Sequence, residues 1–269
     1  VKLGFEYRVE FVTRLAMTLS VPCLIFVALM KAQIEPSALA ALSLASFAAY
    51  ALVSIVFIIT LKALKLELST YLAPLIFGNT GNLGLPLALF AFGEEGLSYA
   101  VVIFAVMAIL SFTIGVWIVS GGGSLLRVIK EPVVAATLLG AVFLMQGWRT
   151  PTFLTNALEL IGQMAIPVML ITLGVAVARL ETRDMARAVW LSVLKALVCA
   201  LAAFGAARWF GLAPVPTAVL IVQISTPVAV TSYLLAEKYG KEAQPVAGLV
   251  VASTLLSVVA LPLILAFVI

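Results

Sequence analysis

The chain has 269 residues, 64% of them hydrophobic and 10% charged, with a mean hydropathy of +1.23. Soluble domains carry about 25% charged residues, so this composition excludes a water-soluble fold and describes an all-α protein that crosses a membrane several times. The formal charge of +4 comes from 16 basic residues that gather mostly at the ends of apolar segments, where they orient helices rather than bind nucleic acid.

Division at the polar punctuation gives a leading fragment, Val1-Lys2-Leu3-Gly4-Phe5, that reads as the end of a first helix. Spans follow at 9–31, 37–63, 69–93, 96–120 and 128–147, then at 152–178, 186–210, 214–237 and 243–269. Each approaches the ~20 apolar residues that a crossing requires. Ser120-Gly121-Gly122-Gly123-Ser124 has the composition of a flexible connector. It separates an N-terminal unit (1–120) from a C-terminal unit (128–269) through a linker at 121–127.

Basic residues alternate with the predicted crossings. Lys2, Arg8, Arg14, Lys62, Lys65, Arg127, Lys130, Arg179, Arg183, Arg187, Lys238 and Lys241 fall on one side, and Lys31, Arg149 and Arg208 on the other. The positive-inside rule then predicts a multi-pass protein of the inner (plasma) membrane, with the middle linker cytoplasmic and the C-terminus outside.

The two units echo each other. Ser20-Val21-Pro22-Cys23-Leu24-Ile25 in one resembles Ala165-Ile166-Pro167-Val168-Met169-Leu170 in the other, and Pro86 has a counterpart in Pro227 at nearly the same offset. That offset spans five crossings, an odd number, so the units are expected to be inverted repeats of five helices each: ten helices, of which this chain holds nine and a fragment.

Within the fourth span, Phe77-Gly78-Asn79-Thr80-Gly81-Asn82-Leu83-Gly84-Leu85-Pro86 holds three glycines, two asparagines and a proline. Such a run interrupts a helix, and irregular backbone at membrane depth survives only where it is buried in protein or lines a cavity. The ninth span is interrupted at Gln223-Ile224-Ser225-Thr226-Pro227-Val228-Ala229-Val230-Thr231-Ser232. Asn79 and Gln223 each lie nine or ten residues into their spans, roughly 15 Å deep at 1.5 Å per residue. The two interruptions are therefore expected to cross near the bilayer centre, the sequence pointer to a secondary-transporter site.

Broken helices offer free N–H groups to an anion and free carbonyls to a cation. The expected substrate-binding residues are Asn79, Thr80, Gly81, Asn82, Gly84 and Pro86 from the first break, and Gln223, Ser225, Thr226, Pro227 and Thr231 from the second. Gln163 follows Glu159 by one helical turn and is expected to line the site. Lys195 sits mid-span, where a charge is costly. It is read as an anion attractor, a stand-in for a coupling cation, or a tie for freed carbonyls. With no histidine, and with Cys23 and Cys199 alone in apolar segments, the chain lacks the residues of a Ser–His pair or a zinc site, so an enzyme and a metal centre are not expected.

The Gly78 to Pro86 run, Pro227 with Tyr233-Leu234-Leu235-Ala236-Glu237-Lys238-Tyr239-Gly240, and Ala165-Ile166-Pro167 together resemble the auxin efflux carrier family, over nearly the whole chain. That family includes plant PIN-type auxin transporters and bacterial malate and malonate carriers. The resemblance implies two inverted sets of five helices, crossed broken helices four and nine, and elevator-type movement of a crossing domain against a scaffold. It carries substrate contact over to Asn79, Asn82 and the Pro227 region, with Pro22 and Pro167 nearby. Thr231 stands where many relatives have asparagine, which argues against auxin itself.

The expected function is secondary transport of a small organic anion, auxin-like or dicarboxylate, without a cofactor. Coupling to Na+ or H+, and a homodimer, stay open. A sodium-coupled bile-acid-type symporter of the same fold and a non-transporting membrane sensor are the alternatives.

Overall fold

The computed structural model describes residues 7–32, 35–120, 132–179 and 184–268. The leading fragment, the 121–127 linker and residues 180–183 lie outside the described residues. The rest is helical: α1 (9–31), α2 (Pro36–Ala63), α3 (Leu68–Ile76), α4 (80–92), α5 (94–120), α6 (Pro132–Gln146), α7 (152–179), α8 (Met185–Trp209), α9 (Pro214–Ile224), α10 (Val230–Lys238) and α11 (Ala243–Val268).

Six helical stretches among the described residues are long and apolar enough to cross a bilayer. The longest, Thr80–Ser120, has 41 residues, about two crossings' worth. Gly93, at φ 63° and ψ −156°, divides it into α4 and α5, a conformation that only glycine adopts without strain. The short helices α3 and α4, and likewise α9 and α10, are joined through a few residues of irregular backbone. The four tryptophans, Trp117, Trp148, Trp190 and Trp209, are all at least 49% exposed and stand near helix ends, as interfacial aromatic belts do.

Both breaks are shorter than the composition suggests. Irregular backbone in the first covers only Phe77 to Asn79; Thr80–Gly84 already form a widened π turn that passes directly into α-helix at Leu85. The cause is Pro86, whose ring and missing N–H do not fit a regular turn. The N–H of the preceding Leu85 reaches back five residues to the Thr80 carbonyl. Pro22 does the same in α1, where Val21 N–H reaches the Ala16 carbonyl across the π turn Ala16–Ser20. The second break covers 225–229 and contains Pro227, whereas Thr231 already belongs to α10. Pro86 and Pro227 are therefore not equivalent in position: one follows its break, and the other is inside it.

Two groups of helices emerge from the packing. α1 lies on α6 and α7, with Phe26, Val27 and Met30 at their contact, while α2, α3, α5, α8, α9 and α11 pack around Tyr50, Phe57, Leu75, Ile103 and Leu191, in a core that also takes in Ile25 of α1, Val133 of α6 and Met169 of α7. The first group packs tightly because its contact positions are small. A Cβ on Gly162 of α7 would come within 3.0 Å of the Leu24 backbone in α1, and one on Gly140 of α6 within 3.0 Å of the Leu29 side chain. Gly162→Val therefore has to push α7 from α1. Overpacking of this kind costs about 1–3 kcal/mol, so its melting temperature in detergent is expected to fall by several degrees, whereas Gly174→Ala, with open space around its Cβ, leaves it unchanged.

Candidate functional site

The two breaks meet and satisfy each other. Gly78 and Val228 form an antiparallel bridge, and Asn79 donates its N–H to the Pro227 carbonyl at 2.7 Å. Only glycine permits this approach: a Cβ on Gly78 would sit 2.3 Å from Thr226 Oγ1 and 2.8 Å from the Thr226 carbonyl oxygen.

Asn79 organises the restart of the first helix. Its Oδ1 accepts from Asn82 N–H at 3.2 Å, and its carbonyl accepts from the Leu83 and Gly84 N–H groups, each at 3.1 Å. This is an N-cap fused to a widened turn. In the second break, Thr226 Oγ1 donates to the Gln223 carbonyl at 2.7 Å, and Val228 donates its N–H to Ser253 Oγ of α11 at 2.9 Å.

Side chains at the junction are less well satisfied than its backbone. Among the described residues eight buried side-chain polar atoms have neither a hydrogen-bond nor an ion-pair partner in the protein, and five of them are here: Asn79 Nδ2, Thr80 Oγ1, Gln223 Oε1 and Nε2, and Ser225 Oγ. Buried groups of this kind are paired in most proteins, so their concentration marks a place arranged for something other than stability. Gln223 is fully buried and its amide lies against Gly84, where a Cβ would meet Oε1 at 2.3 Å.

On one side of the junction opens a cavity of about 260 Å³. Asn79, Gly81 and Asn82 from the start of α4, and Val230, Thr231 and Ser232 from the start of α10, contribute to its wall. Phe77, Phe104 and Met107 supply its apolar surface, with Ser69, Thr70 and Ser111 completing the polar part. Among the described residues no charged side chain lines it. Both α4 and α10 begin at this cavity, so the positive ends of two helix dipoles border it.

The remaining expected residues lie elsewhere. Gly84, Pro86 and Gln223 are buried behind the wall. Ser225, Thr226, Pro227 and Lys195 border a separate void of about 10 Å³. Gln163 and Pro167 line a third space of about 620 Å³, where Lys31 and Glu159 form an ion pair. Pro22 lines none of the three. Phe104, Met107 and Ser111 were not expected from sequence. Their i, i+3, i+7 spacing on α5, with a serine at one end, is the signal that could have found them.

The close approach of the breaks predicts a hierarchy among glycine substitutions. Gly78→Ala collides with backbone that cannot rotate away, so a large loss of folded protein is expected on size-exclusion chromatography. Gly81→Ala meets only the Phe104 ring edge, at 3.1 Å, and is expected to fold with a melting temperature near that of the wild type.

Comparison with known proteins gives the family. The model of the membrane transport protein family matches residues 7–124 and 119–265. An uncharacterized transporter of Methanothermobacter thermautotrophicus is 30% identical over 192 residues, covering 69% of this chain and 63% of that protein. Another, from Methanocaldococcus jannaschii, is 25% identical over 199 residues, covering 70% and 64%. The matched region thus spans a little under two thirds of these relatives. Theirs is a family of multi-pass membrane transport proteins and not of enzymes; the chain belongs to it, and it is the auxin efflux carrier family that the glycine and asparagine run resembles.

Proposed function

We propose that this protein carries a small organic anion across the membrane by alternating access, with the 260 Å³ cavity at the crossed breaks as its substrate site. The observation that carries the reading is that cavity's wall, mostly apolar but holding one patch of amides and hydroxyls at two helix starts and, among the described residues, free of charged side chains. A carboxylate there receives hydrogen bonds from Asn82, Thr231, Ser232 and first-turn N–H groups. A hydrogen bond to a charged group contributes about 1.5–3 kcal/mol, and each helix dipole adds up to ~2 kcal/mol where it is partly buried. Together these offset the desolvation of one negative charge without a fixed cation.

The opposite wall suits the rest of such a molecule. Phe77, Phe104 and Met107 favour an aromatic or alkyl body, so a monocarboxylate with an apolar part fits better than a dicarboxylate, whose second charge would face them. No carboxylate or imidazole lines the cavity among the described residues, so no proton-binding side chain sits beside the substrate. The two packing groups, α1 with α6 and α7 against the larger bundle, are the parts that an elevator movement would slide past each other, each group drawing helices from both of the inverted five-helix repeats.

The membrane arrangement belongs to the same proposal: an inner (plasma) membrane, with the linker cytoplasmic and the C-terminus outside. In a cysteine-free background, Gly147→Cys is expected to react with a membrane-impermeant maleimide in intact cells and Gly122→Cys only after lysis; the reverse pattern would invert the topology. Asn82→Ala tests the site. It removes a cavity amide while the Asn79 cap, which uses the Asn82 backbone, persists. Uptake of an aromatic or alkyl monocarboxylate into proteoliposomes is expected to drop at least tenfold, with the melting temperature within about 2 °C of wild type; undiminished uptake would remove this cavity from the transport path.

A further inference from the structure

Three π turns occur among the described residues, Ala16–Ser20, Thr80–Gly84 and Ser111–Gly115, and each contributes to the wall of the cavity at the crossed breaks: Met17, then Gly81 and Asn82, then Ser111 and Gly115. Pro22 and Pro86 account for the first two. The third lies inside α5, where no proline follows it. Val116 donates its N–H five residues back to the Ser111 carbonyl, and Thr113 Oγ1 donates to the Ile109 and Leu110 carbonyls at 2.6 and 3.2 Å. Such a turn interrupts the regular ladder of its helix and is found frequently at functional sites.

Gly115 closes the third turn, and the ring of Phe77 lies on it. A Cβ there would meet Phe77 Cε2 at 2.9 Å and Cδ2 at 3.2 Å. The ring has little room to retreat. Its backbone is pinned, because the next residue, Gly78, is bridged to Val228 and Asn79 N–H is bonded to the Pro227 carbonyl. Tyr50, 2% exposed in the core, is its aromatic neighbour, with ring centroids 6.0 Å apart. Phe77 and Gly115 both line the cavity, so space taken by a side chain at 115 comes out of the cavity, directly or through the displaced ring. At about 260 Å³ that cavity is already smaller than the ~300–1,000 Å³ typical of ligand pockets. We propose that Gly115 determines specificity: its missing side chain lets Phe77 lie back against α5 and leaves breadth for a single aromatic ring, so the solute is a one-ring aryl monocarboxylate and Gly115 sets its upper size. The inference rests on the anion-carrier reading of this cavity and names the substrate class within it.

Thermal melting of the purified full chain in detergent, titrated with propionate, benzoate and naphthoate, tests the assignment, because a bound ligand raises the melting temperature by mass action and so reports an apparent Kd. Wild type is expected to bind benzoate most tightly. One methylene more or less in an apolar pocket changes discrimination by about 10–200-fold, so Gly115→Ala is expected to weaken benzoate at least tenfold while propionate stays within about twofold of wild type. Phe77→Leu added to Gly115→Ala removes the ring that the new methyl displaces. It is expected to recover at least fivefold of the benzoate loss, a rescue that a merely structural effect of the methyl would not show.

Benzoate bound equally well by wild type and Gly115→Ala would overturn the assignment, as would a loss shared equally by propionate or one that Phe77→Leu leaves in place. If Gly115→Ala cannot be purified, Phe77→Leu alone decides: it is expected to bind naphthoate at least tenfold more tightly than wild type does, and an unchanged naphthoate Kd overturns the assignment. Wild type that binds none of the three acids removes the anion-carrier reading and this one with it. Acids that bind wild type but are not discriminated by the Gly115→Ala and Phe77→Leu variants remove the size limit alone.

Discussion

A polar backbone inside a bilayer has nowhere to turn but to itself, and the bond from Asn79 N–H to the Pro227 carbonyl at 2.7 Å answers that constraint at the one level where both interrupted spans lose their internal ladders. An unsatisfied peptide group in hydrocarbon costs several kcal/mol, so neither break is tenable alone. Each supplies what the other lacks. Gly78 allows the chains to approach, Asn79 caps the helix that follows, and Ser253 takes the Val228 N–H from the side. The position of every other functional group descends from this pairing, because it fixes where α4 and α10 begin and where α9 ends.

The pairing also sorts charge. The starts of α4 and α10 lie at the cavity, and the end of α9 lies at the void beside Lys195. The junction thus presents positive dipole ends to one side and a negative end to the other. On the proposed anion-carrier reading, a neutral wall and a positive charge kept out of it are two faces of one arrangement: Lys195 in the cavity itself would bind an anion more strongly and slow its release, whereas donors of modest strength leave the bound state shallow enough for turnover.

Much of this was legible in the chain because glycine, proline and asparagine declare their backbone preferences locally. The run from Gly78 to Pro86 marks an interruption, and Lys195 marks a buried charge, from residue type and depth alone. The extent of each break was not legible. Pro86 reads as a breaker, yet Thr80–Gly84 widen into a π turn that absorbs its ring, so the irregular segment shrinks to three residues. Pairing Pro86 with Pro227 failed for the same reason: the ring serves a restarting helix in one case and lies within the gap in the other. Phe104, Met107 and Ser111 escaped notice because lipid-facing and cavity-facing helices draw on the same residue types. Which side of the break Lys195 serves is a tertiary fact that no local pattern encodes.

The Ser69-to-Val119 cavity and the space beside the Lys31–Glu159 pair occupy opposite ends of the bundle. Along α1 the first touches Met17 and the second Leu24 to Lys31; along α5 the second touches Glu94 to Ser98 and the first Phe104 to Val119. They share no wall residue, and only about two turns of α1, α4 and α5 separate them. On the transport reading proposed above, that septum stands between the two faces of the membrane, and its close packing, more than the grip on any solute, is what keeps ions from leaking through and spares the transmembrane potential from a short circuit.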